Sequence, residues 1–404
     1  MFLPSFSRYT KSCRPERSLR CFCSSSPVLL RDSSLAHAQL HAAGPIGFVF
    51  DIDGVLIRGG KRIEAAKPAL QLLNHHRIPW ILLTNGGGYS EAARTAYLST
   101  LLDVNINPVQ LIQSHTPFKG FTKTYRRILA VGGLEDRVRH VARDYGFEDV
   151  LIPADIIRSN QSVWPFHGFS ADQLNRWALD PSITNVFKKP IDAIMVFNDP
   201  RDMGTDIQII VDYLNSDNGL YGTIRNLHKV SHNHTPSIPI FFSNNDLLWA
   251  NDFNLPRFGQ GQLRIIIERL YQELNNSLTL DSTIFGKPFK SQYDFAHHIL
   301  IDWYQSLLKN PNLINFNSNS QALKQILPSI GEIPVNSPFN KIYMVGDNPE
   351  SDIKGANNYG WESCLVRTGV FKDDDLPDLK VKPTMIVDNV YEAIKFVLDI
   401  NGYI

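Results

Sequence analysis

Two aspartates one residue apart, Asp51 and Asp53, close the apolar run Gly47-Phe48-Val49-Phe50 and are followed by Gly54. Such a run predicts a buried strand, and in an open α/β sheet ligands sit just beyond the carboxyl ends of the strands. Two carboxylates there suit a hard divalent cation and nucleophilic carboxylate chemistry. Taken alone, the same residues read equally well as a strand and an Asp-Gly turn. Three further segments shift that balance. Trp80-Ile81-Leu82-Leu83 ends in Thr84-Asn85-Gly86, Lys341-Ile342-Tyr343-Met344-Val345 ends in Gly346-Asp347-Asn348 with Asp352 close behind, and Gly286-Lys287-Pro288 precedes a helical pattern. Together these residues suit phosphoryl transfer. A carboxylate can attack phosphorus, Mg²⁺ needs only a few oxygen ligands, and a lysine and a hydroxyl can hold phosphoryl oxygens.

The elements that must position these residues follow from periodicity. Strand 46–50, a helix over 65–75, strand 80–83 and a helix over 90–102 give the β-α-β-α order of a parallel sheet. From about Ile112 to Asp281 a second α/β series appears. Its strands are expected at 128–131, 192–197 and 238–242, and its helices at 135–145, 205–214 and 261–274. The last helix carries Leu263, Ile266, Ile267 and Leu270 on one face. The first pattern then resumes, with a helix near 292–304, strand 341–345, a helix over 352–359 and strands 363–367 and 384–387. Residues 309–338, rich in Asn, Ser and Pro, read as a surface insertion.

At 404 residues the chain is too long for one ordinary core, so two domains are expected. Hydrophobic residues make up 43% and charged residues 20%, a globular composition. No apolar run approaches the ~18–20 residues needed to span a bilayer. Forty basic residues balance forty acidic ones, which argues against a nucleic-acid partner. The balance is uneven along the chain. Residues 1–31 carry six basic groups, one acid and many serines, the composition of a mitochondrial transit peptide. The remainder has 34 basic and 39 acidic residues, a net charge of −5. Cys364, the one cysteine beyond that stretch, lies in an apolar run and is expected in the core. His232-Asn233-His234 lacks the partners of a metal site and reads as a solvated loop.

In this order and at strand ends, Asp51-Ile52-Asp53-Gly54-Val55, Thr84-Asn85, Gly286-Lys287-Pro288 and Gly346-Asp347-Asn348-Pro349-Glu350-Ser351-Asp352 resemble the four motifs of the haloacid dehalogenase (HAD) superfamily phosphatases. The resemblance spans residues 46–397. It implies an α/β fold with a Rossmann-like parallel-sheet core, over 41–111 and 282–404, and an inserted α/β cap of the C2 type over 112–281. Residues 1–40 remain as transit peptide or disordered tail. Asp51 and Thr84 lie 33 positions apart while Thr84 and Lys287 lie 203 apart, so the insertion falls where subclass IIA places its cap. The segments 196–202, 243–249 and 256–261 are similar to the mitochondrial branch of that subclass.

Residue by residue, the resemblance implies that Asp51 is the nucleophile and Asp53 the general acid and base. Thr84 and Lys287 would hold the phosphate, and Mg²⁺ would be bound by Asp51, the main-chain carbonyl of Asp53, Asp347 and Asp352. Asp352 is open between that role and a helix N-cap. Thr84, Asn85 and Gly86, with Asn244, Asp246 and Arg257 of the cap, are candidate substrate-binding residues, and Gln260 is a further cap candidate. The implied activity is hydrolysis of a small phosphomonoester through an aspartyl phosphate in the mitochondrion, in its matrix. The implied partners are a small phosphorylated substrate and a second copy joined through the cap. The alternative is a catalytically weak or inactive scaffold on the same fold.

Overall fold

The computed structural model describes residues 28–29, 45–225, 236–249, 255, 257–310, 313 and 327–404. Outside the described residues lie the basic N-terminal stretch apart from Val28–Leu29, the His232-Asn233-His234 segment and residues 311–312 and 314–326 of the Asn-rich insertion.

Seven strands form the first sheet, in the order Val28–Leu29, Met385–Val387, Glu362–Val366, Lys341–Gly346, Ile46–Phe50, Trp80–Leu83 and Leu111–Ile112. All pair in parallel except Val28–Leu29, which runs antiparallel along Met385–Ile386. The central strands are apolar throughout because both faces are covered. Phe48, Phe50, Trp80, Leu82, Tyr343 and Val345 pack with residues of helices Ala66–His75, Glu91–Leu102 and Val390–Ile400. Val49, Ile81, Leu83, Ile342 and Met344 pack with Tyr293, Ile299, Leu300 and Trp303 of helix Lys290–Lys309. Cys364 is fully buried, as its apolar setting predicts.

The strand order puts the functional residues together. From Ile46–Phe50 the chain builds outward to one side, through Trp80–Leu83 and Leu111–Ile112. It later returns to the other side with Lys341–Gly346. The topological switch point therefore lies between Ile46–Phe50 and Lys341–Gly346, where a crevice opens at the carboxyl ends of the strands.

Between Ile112 and Lys290 the chain forms a second parallel sheet, in the order Thr283–Ile284, Ile240–Phe242, Ala193–Val196, Arg127–Val131 and Asp149–Leu151. It has its own hydrophobic core, in which Phe197, Ile209, Tyr213, Phe242 and Tyr271 are buried. Two edge strands here, Asp149–Leu151 and Thr283–Ile284, were too short to show as apolar runs in the sequence. Helix Gln260–Leu274 buries Leu263, Ile267 and Tyr271, an i, i+4, i+8 stripe. Leu270, expected on that face, is 39% exposed instead, because Tyr271 takes the inward position. The helix expected over 352–359 divides into a π-helical turn, Pro349–Ile353, and an α-helix, Lys354–Tyr359.

Candidate active site

Asp51 stands at the end of the central strand, where its N–H donates to Val345 O at 2.9 Å and ties it to the neighbouring strand. Asp347 stands at the end of that neighbour. Asp352 reaches the same point from the π-helical turn, with Oδ2 accepting from Asn348 N at 3.1 Å. Ligand oxygens of all three carboxylates lie within 4.8 Å of one another, and all three residues are buried. Lys287 enters from the loop before helix Lys290–Lys309. Its Nζ lies 2.6 Å from Asp51 Oδ1 and 2.6 Å from Asp352 Oδ1. Asp352 is not a helix cap: Asn348 caps the π-helical turn, accepting from Glu350 N, and no side chain caps the helix that follows.

Three buried carboxylates against one ammonium leave a surplus of negative charge. Burial pushes Asp51 well above the usual carboxylate range; Lys287 pulls it down, while Asp352 and Asp347 push it further up. Asp347 is pushed up to about 7, by burial first and Asp352 second, against the Val370 N–H and Lys287. For Lys287, burial favours the neutral amine, but Asp352 and Asp51 outweigh it and raise the ammonium above its ordinary value. The shared cause is the burial of three acids around one ammonium, and a divalent cation among these oxygens would offset their repulsion.

Glycines make room for this packing. Gly54, at φ +88°, and Gly369 both lie so close to Asp347 that a Cβ at either would strike its carboxylate, and a Cβ at Gly346 would strike Asp352. Val370 N–H donates to Asp347 Oδ2 at 2.7 Å, so the Thr368-Gly369-Val370 loop clasps that side chain. Thr368 Oγ1 donates to Gly54 O, closing the loop onto the turn after Asp53.

Asp53 lies at the mouth of the crevice. Its side chain is 64% exposed, and Arg94 Nη2 stands 3.9 Å from Oδ2. The surrounding crevice walls still raise its carboxyl, against the pull of Arg94 and Lys287. Thr84 is buried, with Oγ1 accepting from Gly86 N at 3.0 Å. A Cβ at Gly86 would lie 3.3 Å from Thr84 Oγ1 and 4.0 Å from Asp53 Oδ2, so the three residues meet at one point of the crevice. Asn85 joins three segments. Its Oδ1 accepts from Lys287 N at 2.7 Å, and its Nδ2 donates to Lys287 O and to Asp246 Oδ1, each at 3.0 Å. Its main-chain carbonyl accepts from Asn244 Nδ2 at 3.2 Å.

Asn244 and Asp246, from the loop after Ile240–Phe242, therefore meet the first sheet directly. Asp246 is pushed up to about 6, chiefly by burial, with Asn85 and Lys287 opposing. Gln260 supports this loop: its Oε1 accepts from Asn244 N at 3.0 Å and its Nε2 donates to Ser243 Oγ at 3.0 Å. Arg257 is placed differently. It is exposed, on a two-stranded ribbon opposite Trp249, outside the buried cluster.

Sequence reasoning overlooked Arg94, the Thr368–Val370 loop and a polar network beneath the Gly-rich loop. Gly88 N–H donates to His115 Nε2 at 3.0 Å, and His115 Nδ1 lies 2.7 Å from Tyr145 Oη. Tyr145 and Thr116 both donate to Glu91 Oε1 at 2.7 Å, and Lys119 Nζ stands 3.1 Å away. Burial holds His115 down near 4, so its ring is neutral at physiological pH and can accept from Gly88. Only the Thr368–Val370 loop left a trace in the sequence, as a Thr-Gly pair just past a strand end.

Two family models match the chain. One is described as haloacid dehalogenase-like hydrolase and covers residues 48–148; a second, HAD-hydrolase-like, covers residues 284–393. A mitochondrial hydrolase of Saccharomyces cerevisiae is 52% identical over 88% of this chain and 96% of its own length. A cardiolipin synthase (CMP-forming)/mitochondrial hydrolase fusion protein of Schizosaccharomyces pombe is 38% identical over 87% of this chain and 53% of its own length. Among solved structures, the fold is similar to that of a 4-nitrophenylphosphatase from Thermotoga maritima, with a TM-score of 0.51 and 15% identity over 86% of this chain and 96% of that one. A p-nitrophenyl phosphatase from Archaeoglobus fulgidus gives a TM-score of 0.52 and 13% identity over 88% and 99%.

Proposed function

Because the chain belongs to the haloacid dehalogenase-like hydrolase family, we propose that it is a Mg²⁺-dependent phosphatase of mitochondria. It would hydrolyse a phosphomonoester through an aspartyl phosphate at Asp51. The observation that carries this reading is the convergence of Asp51, Asp347 and Asp352 around Lys287 at one crevice. Mg²⁺ fits the donor set, held by Asp51, the Asp53 carbonyl, Asp347 and Asp352, and when bound it would supply positive charge beside the phosphoryl oxygens.

The chain's own residues then divide the work. A carboxylate oxygen of Asp51 forms a bond to phosphorus as the bond to the ester oxygen breaks, and Asp53 gives that oxygen its proton. Burial raises the carboxyl of Asp53, the direction that favours a proton donor. In the second half, Asp53 takes a proton from water. The water oxygen attacks phosphorus, and the bond from phosphorus to Asp51 breaks to release inorganic phosphate. Lys287 and Thr84 hold the non-bridging oxygens. The domain built on the second sheet, which extends to its edge strand Thr283–Ile284 and so just past the boundary expected at residue 281, acts as a cap that excludes water from the phosphoenzyme. Asn244 and Asp246, which meet Asn85 beside Lys287, are the cap residues placed to meet the leaving group.

A lipid-linked phosphomonoester is a second reading of the substrate. The fission-yeast relative favours it, because there a similar hydrolase shares one polypeptide with a cardiolipin synthase. Incubating the protein with p-nitrophenyl phosphate, soluble metabolite phosphates and short-chain lipid phosphomonoesters tests both readings. Phosphate release should require Mg²⁺, stop with EDTA and resume when Mg²⁺ is restored. A folded protein that turns over none of them would leave only the scaffold reading.

The metal also has a signature in stability. A carboxyl raised on folding favours the protonated folded state. Asp347 therefore contributes stability below its unfolded value of about 4 and loses it as pH rises through about 7. Without metal, thermal unfolding should move to lower temperature across that window. Mg²⁺ should reverse the loss at pH 8 and change little at pH 5.

A further inference from the structure

We propose that His115, Tyr145 and Glu91 form a one-way hydrogen-bonded chain that holds the phosphate-binding loop and makes its position depend on the cap. The proposal deepens the phosphatase reading, on which it rests, by assigning His115 and Tyr145 as positioning residues for that reaction.

The direction of the chain follows from its two ends. Gly88 N–H can only donate, so His115 Nε2, 3.0 Å away, carries a lone pair. Burial keeps the ring neutral, which leaves its single proton on Nδ1. Nδ1 lies 2.7 Å from Tyr145 Oη, which therefore accepts from it. The tyrosine O–H is then free to donate to Glu91 Oε1, at 2.7 Å. Burial would raise the Glu91 carboxyl, but its neighbours, Lys119 foremost, bring it below its ordinary value. A carboxylate thus ends the chain as an acceptor. Reversing any link would set two donors or two acceptors face to face.

The chain also crosses from one domain to the other. Gly88 lies just before helix Glu91–Leu102, which Glu91 opens. His115 lies in the segment that leads from strand Leu111–Ile112 into the cap, and Tyr145 ends the cap helix Arg137–Tyr145. The bonds leave the first domain at Gly88 and return to it at Glu91 by way of a cap side chain.

The loop held in this way carries the phosphate-binding groups. Thr84 Oγ1 accepts from Gly86 N, and Gly86 O accepts from Ser114 N at 3.4 Å. Gly87 lies against the His115 ring, so close that a Cβ there would stand 2.6 Å from Cδ2. Asn85, within the same run, grips Lys287 through both its N–H and its carbonyl. A shift of the loop therefore moves Thr84 and Lys287 together. A misplacement of ~1 Å at such groups can cost about 10²-fold in rate.

Four variants of the full chain, assayed with p-nitrophenyl phosphate and Mg²⁺ alongside urea unfolding, test the proposal. Tyr145→Phe leaves His115 Nδ1–H without an acceptor, which frees the ring to take the other tautomer and turn an N–H toward Gly88. Tyr145→Phe and His115→Leu should each lose about tenfold or more in kcat. His115→Gln, whose Oε1 can accept from Gly88 N–H, should recover most of that loss. Thr116→Val removes the other donor to the same Glu91 oxygen, together with the acceptor of Gln113 N–H, and leaves both His115 bonds in place. It should be less stable in urea yet turn over within about twofold of the parent. Tyr145→Phe at the parental rate, or Thr116→Val falling as far as Tyr145→Phe, overturns the proposal. Histidine ¹⁵N spectra read the chain without turnover. The parent should show His115 protonated at Nδ1 alone, and Tyr145→Phe should move that proton toward Nε2. A parent ring protonated at Nε2 overturns the proposal even in an active enzyme. If the parent hydrolyses no phosphomonoester, the catalytic reading fails and the spectra alone decide the chain.

Discussion

Asp51→Asn is expected to bring phosphate release below detection, a loss of about 10⁴-fold or more. Asparagine keeps the shape of the side chain but offers no carboxylate to attack phosphorus, so the aspartyl phosphate cannot form. The fold should persist. Asp51 is pushed well above the usual carboxylate range by burial and by two neighbouring acids, so removing its charge relieves repulsion in the metal-free protein. Lys287 keeps Asp352 as a partner at 2.6 Å. Initial rates in Mg²⁺ with urea unfolding in parallel check both halves. Turnover within a few-fold of the parent would remove Asp51 from the chemistry, and loss of the fold would show that its charge is structural.

Lys287→Met should act on both stability and rate. The ammonium is 2% exposed and is shared by Asp51 and Asp352. Removing it leaves buried carboxylates facing one another, a change that costs about 3–5 kcal/mol when a buried ion pair loses one member. Because Mg²⁺ can neutralise the same oxygens, adding it should restore part of that stability in the variant. Turnover should still fall by about 10²–10³-fold, since a positive group beside the phosphoryl oxygens is gone. Urea titrations with and without Mg²⁺, together with initial rates, separate the two effects. A variant as stable as the parent in EDTA would show that the cluster is already neutral through bound protons.

Much of this was legible in the chain because strand ends are local signals. Phe48–Phe50, Trp80–Leu83 and Ile342–Val345 are apolar on both faces, as the interior of a parallel sheet requires, and a polar residue follows each, directly at Asp51 and Thr84 and after Gly346 at Asp347. The second α/β series announced itself through helix Gln260–Leu274 and strands Arg127–Val131 and Ala193–Val196. Asp352 was less legible. Its spacing from Asp347 allowed a cap as readily as a place in the crevice, and only the π-helical turn over Pro349–Ile353 turns it inward. Arg94, His115 and Tyr145 carry no local mark at all. Each matters through a residue distant in sequence, and such pairings depend on how helices and loops pack. Arg257, which motif likeness put among the substrate-binding residues, sits on an exposed ribbon because its strand pairs with Leu248–Trp249 rather than joining the second sheet.

By itself the amino-acid order determined which side chains sit at which strand ends, and so the kind of chemistry available, because hydrophobic periodicity and turn residues act over a few positions. The folded chain alone decided that Lys287 bridges two carboxylates, that Asn85 ties Lys287 to Asp246, and that glycines at 54, 346 and 369 leave room for the acids. Those outcomes depend on contacts between segments far apart in the chain, 236 positions for Lys287 and Asp51 and 293 for Gly54 and Asp347. Burial then sets their charge state, since desolvation is a property of the assembled crevice and of no single stretch of chain.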